Sequence, residues 1–289
     1  MKNDYMVCLK YTHCHKGLIS ILSLGLGVIM ATGCGDNTTP ATEPAPTRKA
    51  NPIVIKALYD GFEGSAVAGF WLPGNYGSGL YVPGDIRVSN NYARSGSQSV
   101  EIIVHEGDVA AAGDSNTQVE RAELDSGHFK LLGQEAWYGF SVLIPRSFPI
   151  TDVRLVISSC KQSDVSRPLT AQRLRNGKHT LTIESQGRKK EYRLPDLPLE
   201  KWVDFVYRAR YSTGDDGLFQ VWMNGHLAVS YCGPLADPGS KNAFYHKIGL
   251  YRDRMKEPMR IYFDNYSMGT NYDSVDPTRF DANAAGKYY

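Results

Sequence analysis

The segment Leu218-Phe219-Gln220-Val221-Trp222-Met223 runs into Asn224-Gly225 and leaves through His226-Leu227-Ala228-Val229, a pattern that makes the chain double back as a β-hairpin. Asn and Gly both tolerate positive φ, so the pair suits the type I′ turn whose twist matches two antiparallel strands. The same grammar recurs. The runs 99–104, 137–144, 203–207 and 261–263 are aromatic or β-branched, strand-length, and bounded by Gly, Pro, Asn and Asp. Asn176-Gly177 marks a further turn. Many short strands with turn signals between them, little sign of helix and no internal repeat predict an all-β domain. The expected architecture is a two-sheet β-sandwich or jelly roll.

The N-terminal third of the first hundred residues has a different character. Lys2, Lys10 and Lys16 precede an apolar run from Gly17 to Ala31, too short to span a bilayer comfortably and typical of a signal peptide, here assigned to residues 1–33. Ala31-Thr32-Gly33-Cys34 resembles the lipobox of bacterial lipoproteins, which implies acylation at Cys34. Gly35, where an Asp would favour inner-membrane retention, implies an outer-membrane lipoprotein of the cell envelope, facing the periplasm or the surface. Residues 34–51, rich in Thr, Pro and Ala, read as a flexible linker. Residues 52–289 then form one large β domain.

Removing residues 1–33 takes three Lys and one Asp, so the formal charge falls from +2 to 0. Nucleic acid and heavily sulfated polymers favour a basic excess, so any acidic ligand must be met by local clusters. No nucleic-acid partner is expected, and the chain is expected to act as a monomer that touches the membrane only through its lipid. Of five cysteines, Cys160 and Cys232 remain in the mature domain. Two readings stay open: a disulfide worth roughly 4 kcal/mol in the chain-entropy model, or two buried thiols. No Cys or His cluster has metal-ligand spacing. No cofactor is expected; a calcium ion is compatible with this fold class, though no acidic loop specifies one.

The most informative strand is Phe244-Tyr245-His246-Lys247-Ile248-Gly249-Leu250-Tyr251-Arg252. Alternate side chains point to opposite faces, so Phe244, Ile248 and Leu250 are expected in the core, with Tyr245, Lys247, Gly249 and Tyr251 on a groove floor. Gly249 would let a flat polar ligand such as a sugar ring lie close to the backbone. His246 falls on the core side and is taken as structural. Two further segments share the polar theme. In Val119-Glu120-Arg121-Ala122-Glu123-Leu124, Arg121 and Glu123 share a face and can pair, fixing the guanidinium for a carboxylate. In Leu155-Val156-Ile157-Ser158-Ser159-Cys160-Lys161-Gln162, Ser159 and Lys161 share one face and Cys160 and Gln162 the other.

Together these segments resemble a family. Arg121-Ala122-Glu123-Leu124 is similar to the Arg-x-Glu-Leu strand of jelly-roll polysaccharide lyases, including alginate lyases and the heparin lyase I-like and glucuronan lyase-like groups. Tyr245-x-Lys247-x-Gly249-x-Tyr251 is similar to their Tyr-Phe-Lys-x-Gly-x-Tyr strand. Between them, Trp202-Val203-Asp204-Phe205 and the stretch from Gly217 to Gly225 resemble two further segments of the heparin lyase I-like group, in the same order. The likeness spans roughly residues 60–269 and implies a concanavalin-like jelly roll.

It also implies β-elimination on an acidic, uronic-acid-containing polysaccharide, leaving unsaturated ends. The proton at C5 is hard to remove while the neighbouring carboxylate is charged, so cations must neutralise that carboxylate first. Arg121, Lys161 and Gln162 are the candidates. Many members carry Gln-x-His where this chain has Ser159 and Lys161, so Lys161 would take over part of that work. The resemblance makes Tyr251 the base and acid, or the acid alone. A phenol with pKa about 10 needs a nearby cation to ionise, and Lys247 could supply its field. Catalysis is thus assigned to Tyr251, Lys247, Arg121 and Lys161, and substrate binding to Glu123, Ser159, Gln162, Arg173, Tyr245, Arg252 and Arg254. The alternative is a non-catalytic carbohydrate-binding protein of the same fold. A glycoside hydrolase ranks below both, because no strand presents closely spaced paired carboxylates.

Overall fold

The computed structural model describes residues 58–73, 84–108, 119–127 and 130–281. Its strands, numbered in chain order, form two antiparallel sheets. The first runs β13 (His226–Cys232), β12 (Leu218–Met223), β11 (Trp202–Arg210), β6 (Glu135–Leu143), β15 (Met259–Gly269), β4 (Ser99–Val104) and β3 (Ile86–Ser89), with β1 (Leu58–Asp60) also on β15. The second runs β10 (Arg188–Arg193), β9 (Lys178–Ser185), β8 (Thr170–Arg175), β7 (Leu155–Gln162), β14 (Phe244–Asp253), β5 (Val119–Asp125) and β2 (Leu72–Pro73). In each sheet a C-terminal strand is inserted between two earlier ones, β15 between β6 and β4 and β14 between β7 and β5. Such crossovers make the sandwich a jelly roll, as expected. The signal segment, Cys34 and the linker lie outside the described residues.

The turn chemistry does what the sequence demands. Asn224 and Gly225 have φ of 49° and 78° and join β12 to β13; Asn176 and Gly177, at 51° and 70°, join β8 to β9. Gln186-Gly187 makes a third such turn, with φ of 52° and 70°, between β9 and β10. Gln gives little turn signal, which is why only the Gly hints at that hairpin.

Alternating apolar residues from the two sheets close the core. Phe140, Phe205, Tyr207 and Phe263 of the first sheet join one cluster with Leu124, Ile157, Ile248 and Leu250 of the second. Each such fully buried side chain contributes about 1.5–3 kcal/mol. His246 lies among them, its ring 4.7 Å from that of Tyr138 and its Nε2 2.9 Å from the Ser158 hydroxyl. Burial pushes its pKa down to about 3, so it is a neutral core group, as its parity on β14 suggests.

Cys160 also faces this core as a free, buried thiol, so the disulfide with Cys232 does not form. The reason is topological: Cys160 sits on β7 in the second sheet, Cys232 at the end of the edge strand β13 in the first.

Candidate active site

The outer face of the second sheet holds a cavity of about 380 Å³. It is built where β5, β14 and β7 run side by side. β14 pairs with β5 so that Tyr251 stands opposite Arg121, Gly249 opposite Glu123 and Lys247 opposite Asp125. On its other edge β14 pairs with β7, Lys247 opposite Ser159 and Tyr245 opposite Lys161. Alternation then lifts Arg121, Glu123, Ser159, Lys161, Lys247 and Tyr251 to one surface, and all six line the cavity. Arg173 of β8 joins them. Seven of the eleven residues expected to catalyse or bind therefore meet at one place.

Tyr251 sits between two guanidinium groups. The Cζ of Arg121 is 5.5 Å from its ring centroid and that of Arg154 is 5.3 Å away, both within cation–π range. Lys247 Nζ lies 3.4 Å from Glu123 Oε2, with both side chains buried. Lys161 Nζ donates to the Ser166 carbonyl at 3.1 Å. Burial, and then the charge of Lys247, push the Lys161 pKa down to about 8. Asp125, buried beside Lys247, is pushed the other way, to about 6, by its own desolvation, although Lys247 and the Gly127 N–H both favour its charge. The cavity thus holds clustered cations poorly served by water, a place where an incoming carboxylate is favoured.

Four expectations fail here. Gln162 faces inward, fully buried, with its amide nitrogen donating to the Asp237 and Lys241 carbonyls, so it cannot reach a ligand in the cavity. Arg252 is on the core side of β14, fully buried against Glu120, its Nε 2.9 Å from Oε2. Arg254 lies beyond the end of β14, exposed, 3.5 Å from Glu106. Tyr245 is on the correct face but buried; Lys247 Nζ is 5.9 Å from its ring, and burial raises its pKa. It supports Lys247 without lining the cavity.

Gly249 has another purpose than the one expected. A Cβ there would stand 2.4 Å from the Ala122 carbonyl oxygen and 2.7 Å from Glu123 Cα, at φ of 140°. The missing side chain makes room for β5, not for a sugar. β14 also carries a bulge between Ile248 and Tyr251 relative to β7, which sets the position of Tyr251 along that strand.

Arg154, Arg167 and Glu184 also line the cavity, and Asp125 lies beside it next to Lys247, although no local sequence pattern marks any of the four. Arg154 precedes β7 and reaches Tyr251 because β7 pairs with β14; it also ion-pairs with Asp253 at 2.6 Å. Arg167 is held by Asp237 at 2.6 Å and Glu184 at 3.3 Å. Away from the cavity, Asp85, His105 and Asp108 bring ligand-type atoms within 4.8 Å of one another, a grouping absent from the linear spacing. His105 Nδ1 lies 3.2 Å from Asp108 and 3.5 Å from Asp85, which ties the loop after β4 to the bend that precedes β3.

The chain matches the family described as "Polysaccharide lyase" over residues 59–267. No curated protein sequence matches it. Among solved structures it is similar to an endo-β-1,4-glucuronan lyase from the fungus Trichoderma reesei, at 14% identity and a TM-score of 0.59, covering 76% of this chain and 98% of that one. It is also similar to a GH131 β-glucanase catalytic domain from Podospora anserina, at 12% identity and a TM-score of 0.51, covering 71% and 88%. A product complex of the family 7 alginate lyase A1-II′ gives 15% identity and a TM-score of 0.50, covering 66% and 85%. A lyase and a glucanase thus share this sandwich, so the fold alone does not select the reaction.

Proposed function

This chain belongs to the polysaccharide lyase family, and on that premise we propose that it cleaves a uronic-acid polysaccharide by β-elimination in the cavity around Tyr251. The observation that carries the reading is the setting of that one phenol: two guanidinium groups against its ring, and two lysines in the same cavity. Paired carboxylates at glycosidase spacing would be needed for hydrolysis. Glu123 and Glu184, the carboxylates lining this cavity, are instead engaged by Lys247 and Arg167.

The chemistry runs in one direction. Arg121, Lys161 and Lys247 receive the uronate carboxylate, and their charge makes the C5 proton more acidic by stabilising the enolate that forms when it leaves. The Tyr251 oxygen takes that proton as phenolate, the C4–O bond breaks, and the electron pair becomes the C4=C5 double bond. The same phenol returns the proton to the departing oxygen, so the atoms balance without water. These side chains carry every step. Ser159, buried in the floor beside Lys161, and Arg173 on the neighbouring strand orient the sugar.

The test is a panel of polyuronides incubated with purified protein, followed by the ultraviolet absorbance of the unsaturated uronate. Signal on at least one polymer, abolished in Tyr251→Phe, is the expected result. Retention of polymer with no absorbance on any of them would favour the carbohydrate-binding alternative. We also propose that the protein is an envelope lipoprotein anchored through Cys34. Incorporation of labelled fatty acid by the wild type, lost in Cys34→Ala, is the expected outcome.

A further inference from the structure

Behind the cavity, on the core face of the same sheet, runs a row of polar side chains that the β-elimination chemistry does not use. His246 on β14, Ser158 on β7, Gln172 on β8 and His179 on β9 occupy four adjacent strands, and all are buried. Tyr266 of β15 and Tyr207 of β11, also buried, reach across from the other sheet and link them. The result is one hydrogen-bonded chain through the core.

Its sense is fixed from one end. His179 Nδ1 lies 2.7 Å from the Pro195 carbonyl, which only accepts, so Nδ1 carries the proton and Nε2 is an acceptor. Only the amide nitrogen of Gln172 can donate to that Nε2, at 2.8 Å, which turns Gln172 Oε1 towards the Tyr207 hydroxyl at 2.6 Å. With the Tyr207 proton committed, Ser158 must donate to the Tyr207 oxygen. The Ser158 oxygen then accepts from His246 Nε2 at 2.9 Å, and the bare Nδ1 of His246 accepts from Tyr266 at 3.4 Å. Burial keeps both imidazoles neutral, with the His179 pKa pushed down to about 4, so no member carries charge at neutral pH. A buried chain satisfied at each link resists sliding, because a shift leaves several desolvated groups unpaired at once.

On three of these strands the chain member immediately precedes a residue of the cavity. His246 is followed by Lys247, Ser158 by Ser159 and Gln172 by Arg173. The backbone ladder is also irregular here, with register shifts between Ile248 and Tyr251 on β14 and between Val156 and Ser158 on β7. A one-residue slip turns every side chain to the opposite face, so a ladder interrupted on both edges of β7 leaves this stretch under-specified. We propose that Ser158, Gln172 and His246 are positioning residues: their hydrogen-bonded chain fixes β14, β7 and β8 against one another and so sets Lys247, Ser159 and Arg173 in the Tyr251 cavity. The assignment rests on the lyase reading of that cavity and adds to it the means by which its cations are held.

The first test needs no variant. Nitrogen-15 NMR of histidine-labelled protein near pH 7 should show His179 protonated on Nδ1 and His246 on Nε2; the reverse tautomer at either ring overturns the chain. The second compares His246→Phe, which keeps a ring but breaks the chain, with His246→Gln, whose side-chain N–H can still reach Ser158, both well below their melting temperatures. Backbone amides of β14 should exchange hydrogen about tenfold faster in His246→Phe, with β12 and β13 unchanged and His246→Gln close to wild type. On a polymer that is cleaved, kcat should fall about tenfold in His246→Phe while KM stays within about twofold, and His246→Gln should restore kcat. Wild-type exchange and turnover in His246→Phe, or equal loss in both variants, overturns the positioning. Absence of unsaturated product from the wild type on every polyuronide removes the lyase reading alone, because tautomers and exchange are read without turnover.

Discussion

Two ion pairs join β14 to β5 and lie on opposite faces of the same two strands. On the core face Arg252 meets its register partner Glu120, both fully buried, and the guanidinium also donates to the Glu257 carbonyl at 2.6 Å. On the cavity face Lys247 meets Glu123 at a looser 3.4 Å, in the company of Arg121 and Lys161. The first pair is complete and faces nothing that could replace either partner. The second belongs to a group of cations that a ligand carboxylate can enter. Similar strand chemistry thus gives a structural rivet on one side and a site on the other, and what differs is that one pair is sealed in the core while the other borders a cavity lined by further cations.

Substitutions can break this contrast, beginning with the largest effect. Tyr251→Phe, on the receptive face, should lower kcat by about 10²- to 10⁴-fold with an unchanged melting temperature, as expected for losing a positioned proton carrier. A folded variant with wild-type turnover would remove Tyr251 from the mechanism. Arg252→Met, on the riveted face, should cost about 3–5 kcal/mol in urea unfolding by leaving Glu120 buried and unpaired. Arg252→Met/Glu120→Leu should recover much of that loss; if the double variant is no more stable than the single one, the charge pairing is not what matters there.

The next effect is smaller and depends on pH. The Lys161 pKa stands near 8 in the free protein, below the ordinary lysine value, and a bound carboxylate favours the ammonium. Binding of polyuronate near pH 8 should therefore take up part of a proton, and affinity should fall as pH rises through that value. Calorimetry in buffers of different ionisation enthalpy measures the uptake, which Lys161→Gln should abolish. The folding contribution has the opposite sign. A lysine depressed in the native state costs stability at neutral pH, and that cost is relieved as pH rises from about 8 towards its unfolded value.

The smallest effect tests a third buried cation. Lys130 is fully buried, its Nζ has no hydrogen-bond partner, and burial lowers its pKa to about 8. It does not line the cavity, so Lys130→Met should stabilise the fold by about 1 kcal/mol with activity unchanged. Loss of activity in that variant would tie Lys130 to the site after all.

What the sequence made legible follows from what sets each feature. The runs at 99–104 and 155–162 coincide with β4 and β7 because apolar periodicity and turn residues act locally. Strand parity also sorted Phe244, His246, Ile248 and Leu250 from Lys247 and Tyr251. Arg252 and Gln162 also follow parity, against their charge and polarity: both share the phase of core residues and are buried. Arg154, Asp125 and Glu184 were out of reach because their position in the site depends on which strand lies beside which, a tertiary fact. Gly249 shows the same limit at one residue, since the backbone that crowds it belongs to β5, more than a hundred positions upstream.

The placement of β14 between β5 and β7 also has a consequence for how the protein is made. Tyr251 and Lys247 are synthesised long after the two strands that flank them, so until β14 arrives β5 and β7 each present an open edge and no site exists. Contacts of this sequence separation form late and slowly, and unpaired edges invite association with other chains. Under the proposed mechanism, turnover therefore doubles as a proof of completion: a chain stopped before β14 lacks the strand that assembles the cavity.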